Sequence, residues 1–129
     1  MSPADLVRAL WTRMQDRDWD GARATLADDY VSEMPATGEL LGPAENFIAM
    51  NIAYPEGWEI LVDEVMESGD RVIARVRVTL GGRTYHCLSF ADVDPENEKI
   101  LRSLDFWVDD RGEEPPEWRA QYWLPKETG

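Results

Sequence analysis

The chain is short of the residues on which cross-links and most metal sites depend: Cys87 is its only cysteine and His86 its only histidine. One thiol excludes an internal disulfide, and one Cys with one His is too few for a Cys/His zinc site, although composition leaves a carboxylate-rich metal site open. Positive charge is scarce as well. Thirteen Lys and Arg face 26 Asp and Glu, giving a formal net charge of −13 and a pI near 4.3. Nucleic-acid binding draws its affinity from Lys and Arg neutralising phosphates, so DNA, RNA and anionic membranes are poor partners. No apolar run approaches the length that crosses a bilayer, and Met1 to Leu10 carries Asp5 and Arg8 in place of a signal peptide's apolar stretch. A cytoplasmic protein is expected.

What is present is enough for a core. The hydrophobic fraction is 43% against 30% charged residues, too apolar for a disordered chain. A length of 129 residues suits one domain that buries most of its apolar surface. The expectation is a single domain over 1–129, with a core at about 4–109 and a tail at 110–129. Its acidity reads as a well-solvated surface.

The order of signals is helices first, strands second. Ser2-Pro3 ahead of Leu6, Val7, Leu10, Trp11 and Met14 predicts a capped amphipathic helix over 3–16. Asp18 predicts a second over 19–28, with Trp19, Ala22, Leu26 and Ala27 inward. Tyr30 to Met34 reads as a short extended segment, Pro35 to Gly42 as a loop, and 43–53 as a third helix with Pro43 in its first turn. Strands follow over 58–67, 71–80, 83–93 and 99–109, with Gly81-Gly82 as a tight hairpin turn. This is an α+β pattern of helices packed on one face of an antiparallel sheet.

The hairpin also fixes the faces. Pairing Leu80 with Arg83 places Val78, Val76 and Ala74 beside Tyr85, Cys87 and Ser89 on one face, and Ile73, Arg75, Arg77 and Thr79 beside Phe90, Leu88, His86 and Thr84 on the other. Along the last strand, alternation separates Leu101, Ser103, Asp105 and Trp107 from Ile100, Arg102, Leu104, Phe106 and Val108. Both faces are partly apolar. One should cover the helices and the other a second copy of the chain, so a homodimer through the outer sheet face is expected.

Asp16-Arg17-Asp18-Trp19-Asp20, Ala27-Asp28-Asp29-Tyr30 and Leu104-Asp105-Phe106-Trp107, in this layout, resemble the nuclear-transport-factor-2-like superfamily, and within it the SnoaL-like domains. The resemblance spans roughly residues 4–109. It implies a cone-shaped α+β fold, three helices on a curved, mostly antiparallel sheet, with a pocket for a small apolar molecule and no cofactor. Ketosteroid isomerases of this superfamily use a carboxylate base with a tyrosine and a protonated aspartate. Those positions fall near Leu10 for the tyrosine, Met34 for the base and Ser89 or Ala91 for the aspartate, and none of these can do the job. Limonene epoxide hydrolases carry an Asp before an aromatic pair on the last strand, which Asp105 matches. Their second carboxylate has no counterpart in Arg75-Val76-Arg77. SnoaL-like cyclases use one Asp as general acid/base, again a role open to Asp105.

Asp105 is therefore the candidate catalytic residue. Flanked by Leu104, Phe106 and Trp107, it should be desolvated, which moves a carboxyl's pKa up towards a range useful for proton transfer; the alternative is a structural carboxylate. Trp11, Met14, Tyr30, Met34, Met50, Tyr85, Ser89, Ser103 and Trp107 are the candidate ligand-binding residues, overlapping with ordinary core. His86 falls on the outer face. Cys87 reads as a small inward hydrophobe without an activating base. Trp118 and Arg119, after Pro115-Pro116, are expected to pack across a subunit or the pocket rim. The activity implied is a cofactor-free isomerase, cyclase or hydrolase, and the alternative is a non-catalytic binding or dimeric scaffold module.

Overall fold

A computed structural model describes residues 1–125. Ser2 caps α1 (Pro3–Gln15) by accepting from the Asp5 amide at 3.1 Å, and the helix buries Leu6, Val7, Leu10, Trp11 and Met14 as its periodicity predicts. Asp18 caps α2 by accepting from the Gly21 amide at 3.0 Å, but α2 spans only Trp19–Ala24, shorter than the expected 19–28. The Thr25 hydroxyl bonds back to the Ala22 carbonyl at 2.7 Å, and the Ile100 amide takes the Thr25 carbonyl at 2.8 Å. Sheet pairing thus claims residues that helix propensity alone would have kept.

The strand β1 consequently runs over Leu26–Met34, longer than the extended segment expected at Tyr30 to Met34. The expected loop at Pro35 to Gly42 contains a further short strand, β2 (Glu39–Leu41), which folds back antiparallel on β1. Pro43 is the residue before α3 (Ala44–Ala53), one position earlier than expected, and Phe47 and Ile48 face inward. Four long strands complete the sheet: β3 (Glu59–Ser68), β4 (Arg71–Leu80), β5 (Arg83–Asp94) and β6 (Lys99–Asp109). The order across it is β2-β1-β6-β5-β4-β3, with β1 and β6 parallel and every other neighbour antiparallel. The fold is α+β with a six-stranded mixed sheet.

The β4–β5 register matches the expectation residue for residue, from Leu80 opposite Arg83 to Ile73 opposite Phe90. Gly81 and Gly82 sit at φ 59° and 78°, the positive values a tight two-residue hairpin requires. The phase of β6 departs from simple alternation. An irregularity between Asp92 and Val93 lets Leu101 sit as an extra residue. Ile100 is therefore buried and Leu101 is 40% exposed, the reverse of the expected assignment, while Ser103, Asp105 and Trp107 keep their predicted side.

The inner face of the sheet meets the helices. Val72, Ala74 and Val76 are fully buried, with Cys87, Ala91, Val93 and Ile100 nearly so, and α1 lies across β3 and β4 while α3 covers β1. Small residues in mid-sheet leave the centre of that face hollow. The tail carries a 3₁₀ turn at Glu117–Tyr122, in which Trp118 is 67% exposed; the expected packing on the pocket rim does not occur, since no described residue beyond Asp109 lines the cavity. The tail's final residues, 126–129, lie outside the described residues.

Candidate functional site

The hollow is a cavity of about 370 Å³ between the inner face of the sheet and the helices α1 and α3. Trp11 and Met14 reach it from α1, Met50 from α3, Tyr30 and Met34 from β1, Tyr85 and Ser89 from β5, and Ser103, Asp105 and Trp107 from β6. Every candidate site residue thus lines this one cavity. Leu10, Met34, Ser89 and Ala91, the positions where an isomerase would carry its acids and tyrosine, line the same space. Exposed Ala36, Thr37, Glu39 and Tyr54 mark the mouth, at the β1–β2 turn and the end of α3.

Asp105 lies at the closed end, 5% exposed. Its Oδ2 accepts hydrogen bonds from the Ser32 hydroxyl and, at 2.8 Å, from the Ser103 hydroxyl. Ser103 Oγ lies 2.6 Å from the Tyr30 hydroxyl. With Ser103 donating to Asp105, Tyr30 donates to Ser103, so a two-hydroxyl relay and the separate Ser32 hydroxyl converge on one carboxylate oxygen. The other oxygen, Oδ1, is buried and has no hydrogen-bond partner among the described residues. A buried acceptor left open costs free energy on the order of 1–3 kcal/mol, a cost that a water or another donor entering the cavity would remove.

Local sequence explains how these groups meet. Tyr30, Ser32 and Met34 alternate along β1, and Ser103, Asp105 and Trp107 along β6, so each trio shares one face. The parallel pairing then sets Ser32 opposite Ser103. Ser32 escaped the sequence reading, yet the alternation that selects Tyr30 and Met34 also selects it. Gly42 keeps β1 seated: a Cβ there would stand 2.6 Å from the Tyr30 carbonyl oxygen. Aromatic rings flank the acid in two edge-on pairs, Trp11 with Trp107 at 6.4 Å between centroids and Tyr30 with Phe47 at 5.0 Å.

Burial, reinforced by the charge of Asp105, pushes the Tyr30 hydroxyl and the Cys87 thiol well above their ordinary ranges. Both are held protonated. Cys87, 1% exposed, is an inert part of the inner face, and His86 is exposed on the outer one. Arg77 forks onto Asp63, with Nε and Nη2 each 2.8 Å from a carboxylate oxygen, and Arg75 Nε lies 3.2 Å from Glu64, so both arginines point away from Asp105. No Lys, Arg or His lines the cavity among the described residues.

The chain belongs to the SnoaL-like domain family, whose model matches residues 7–103. Its fold is shared with solved structures of the nuclear-transport-factor-2-like type. A Kribbella flavida protein named as a ketosteroid isomerase is 25% identical, with a TM-score of 0.86, over 98% of this chain and 90% of that one. An LEH-like epoxide hydrolase from M. tuberculosis is 18% identical, with a TM-score of 0.69, over 81% of each chain. A protein from Shewanella denitrificans named as a SnoaL-like polyketide cyclase is 12% identical, with a TM-score of 0.67, over 81% of this chain and 89% of that one. No curated protein sequence gave a significant match.

Proposed function

We propose that the cavity binds a small, largely apolar molecule and that Asp105 moves a proton on it, in a cofactor-free isomerisation, cyclisation or hydrolysis. The observation that carries this reading is the asymmetry of the Asp105 carboxyl. Oδ2 is held by Ser32 and Ser103, while Oδ1 has no partner among the described residues. Fixing one oxygen with two donors orients the carboxyl and leaves the other to meet a ligand, which is how a general acid or base is positioned. The isomerase type of oxyanion hole has no support here, because Leu10, Met34, Ser89 and Ala91 supply neither acid nor phenol. Nor does the epoxide hydrolase arrangement, whose second carboxylate has no counterpart in Arg75-Val76-Arg77, where both arginines lie on the outer face.

The lone buried carboxylate also supports a second reading, a binding module without turnover. A thermal-shift screen of terpenoid, steroid and polyketide-like compounds identifies ligands, and each hit is then followed for conversion by wild type and Asp105→Asn. Conversion lost in the variant supports the acid/base role. Binding and conversion that are both unchanged in the variant would sink it.

We further propose that two copies pair through the outer sheet face. Leu61, Leu88, Phe106 and Val108 are exposed there, at 36% to 55%, and the nearby charges Arg77, Asp63, Arg75 and Glu64 already neutralise one another. In a chain of net charge −13 this is a face on which two copies can approach with little repulsion. A monomeric mass by light scattering at micromolar concentration refutes it; a dimer that Leu88→Glu dissociates supports it.

A further inference from the structure

The cavity carries charge of one sign only. Its wall carries Asp105 at the closed end and Glu39 at the mouth, and no cationic side chain among the described residues. The arginines nearest in sequence pattern are turned outward and neutralised by Asp63 and Glu64. Asp105 is thus a buried carboxyl with hydroxyl donors on one oxygen, an open acceptor on the other and no positive partner among the described residues. An ionised carboxylate in an apolar enclosure is costly until a cation and a hydrogen bond compensate it. Around it stand the rings of Trp11, Trp107, Tyr30 and Phe47, whose π faces favour positive charge.

We infer that the cavity selects lipophilic amines: the ligand's protonated nitrogen donates to Asp105 Oδ1 and its apolar body fills the space against the aromatic wall. Anionic molecules such as fatty acids, aryl carboxylates and phosphate esters are excluded, since nothing on the wall neutralises them and two carboxylates repel them. The inference rests on the reading of the cavity as a ligand site and does not require turnover. It sharpens the substrate class from an apolar molecule to an apolar base.

The test uses three probes of one shape, 1-naphthylmethylamine, 1-naphthalenemethanol and 1-naphthoate, titrated calorimetrically into the full chain at pH 7. The amine should bind about tenfold more tightly than the alcohol, the difference between a charge-assisted and a neutral hydrogen bond, and the naphthoate should bind weakest. In Asp105→Asn, or Asp105→Ser if the Asn variant does not fold, the amine should fall to the level of the alcohol while alcohol binding persists. Equal binding of amine and alcohol, preference for the naphthoate, or a preference for the amine that survives in the variant overturns the inference. Those outcomes leave the cavity standing as a ligand site. Failure of all three probes to bind overturns both readings together.

Discussion

The two faces of the sheet handle charge in opposite ways. On the outer face, Arg77 and Asp63, Arg75 and Glu64, and Arg71 and Asp92 pair across neighbouring strands in contact with water. On the inner face one carboxyl stands without a cation, its geometry set by hydroxyls. Water makes the outer pairs cheap to form and nearly as cheap to lose, whereas exclusion of water makes the inner acid's partners decisive. A second difference follows from size. The outer face carries Leu88, Phe106 and Val108, while the cavity floor on the inner one carries the small residues Ser89, Ala91 and Ser103, which leave room there.

The largest break in this comparison comes from adding charge where none is compensated. Val76→Asp places a second carboxylate at a fully buried inner position, and is expected to cost about 4 kcal/mol or more, leaving little folded protein in urea titrations. Removing a partner of the existing acid is milder. Ser32→Ala deletes one donor to Asp105 Oδ2 and should cost roughly 1.5–3 kcal/mol, read from the same titration. Tyr30→Phe leaves the Ser103 bond to Asp105 in place and should cost only about 1 kcal/mol.

Alkaline pH tests the inner face without mutation. Cys87 and Tyr30 hold their protons in the folded chain beyond the pH at which the unfolded chain loses them. Their contribution is fully present below the unfolded values, about 8.5 for the thiol and 10 for the phenol, and is lost as pH rises beyond them. Stability should therefore decline above about pH 9, and a thiol reagent at pH 8 should leave Cys87 untouched until the chain is denatured. The smallest effect belongs to the outer face. Arg77→Ala should shift the denaturation midpoint only slightly, and added salt should shrink even that difference, because the Arg77 side chain is itself exposed and Arg75 Nη1 stays within 4.0 Å of Asp63.

Helix α1, the four long strands and the β4–β5 register were legible because each rests on local chemistry: Ser2-Pro3 and a helical period, Gly81-Gly82 and strict alternation. The early end of α2, the strand β2 and the reversed phase of Ile100 and Leu101 were not legible. Each depends on a partner strand far away in sequence, and no local propensity encodes it. The site divides in the same manner. Asp105 stood out as an acid among apolar residues, whereas Ser32 is an ordinary serine until β1 lies beside β6.

By itself, then, the sequence determined an α+β chain of helices before strands, an acidic surface, a single thiol and one acid placed where it should be dry. Tertiary structure alone decided that this acid has two hydroxyl donors on one oxygen and, among the described residues, none on the other. The reason is physical. Alternation assigns a side chain to a face from its own strand, but what it meets across that face is set by strand order and by packing between distant segments.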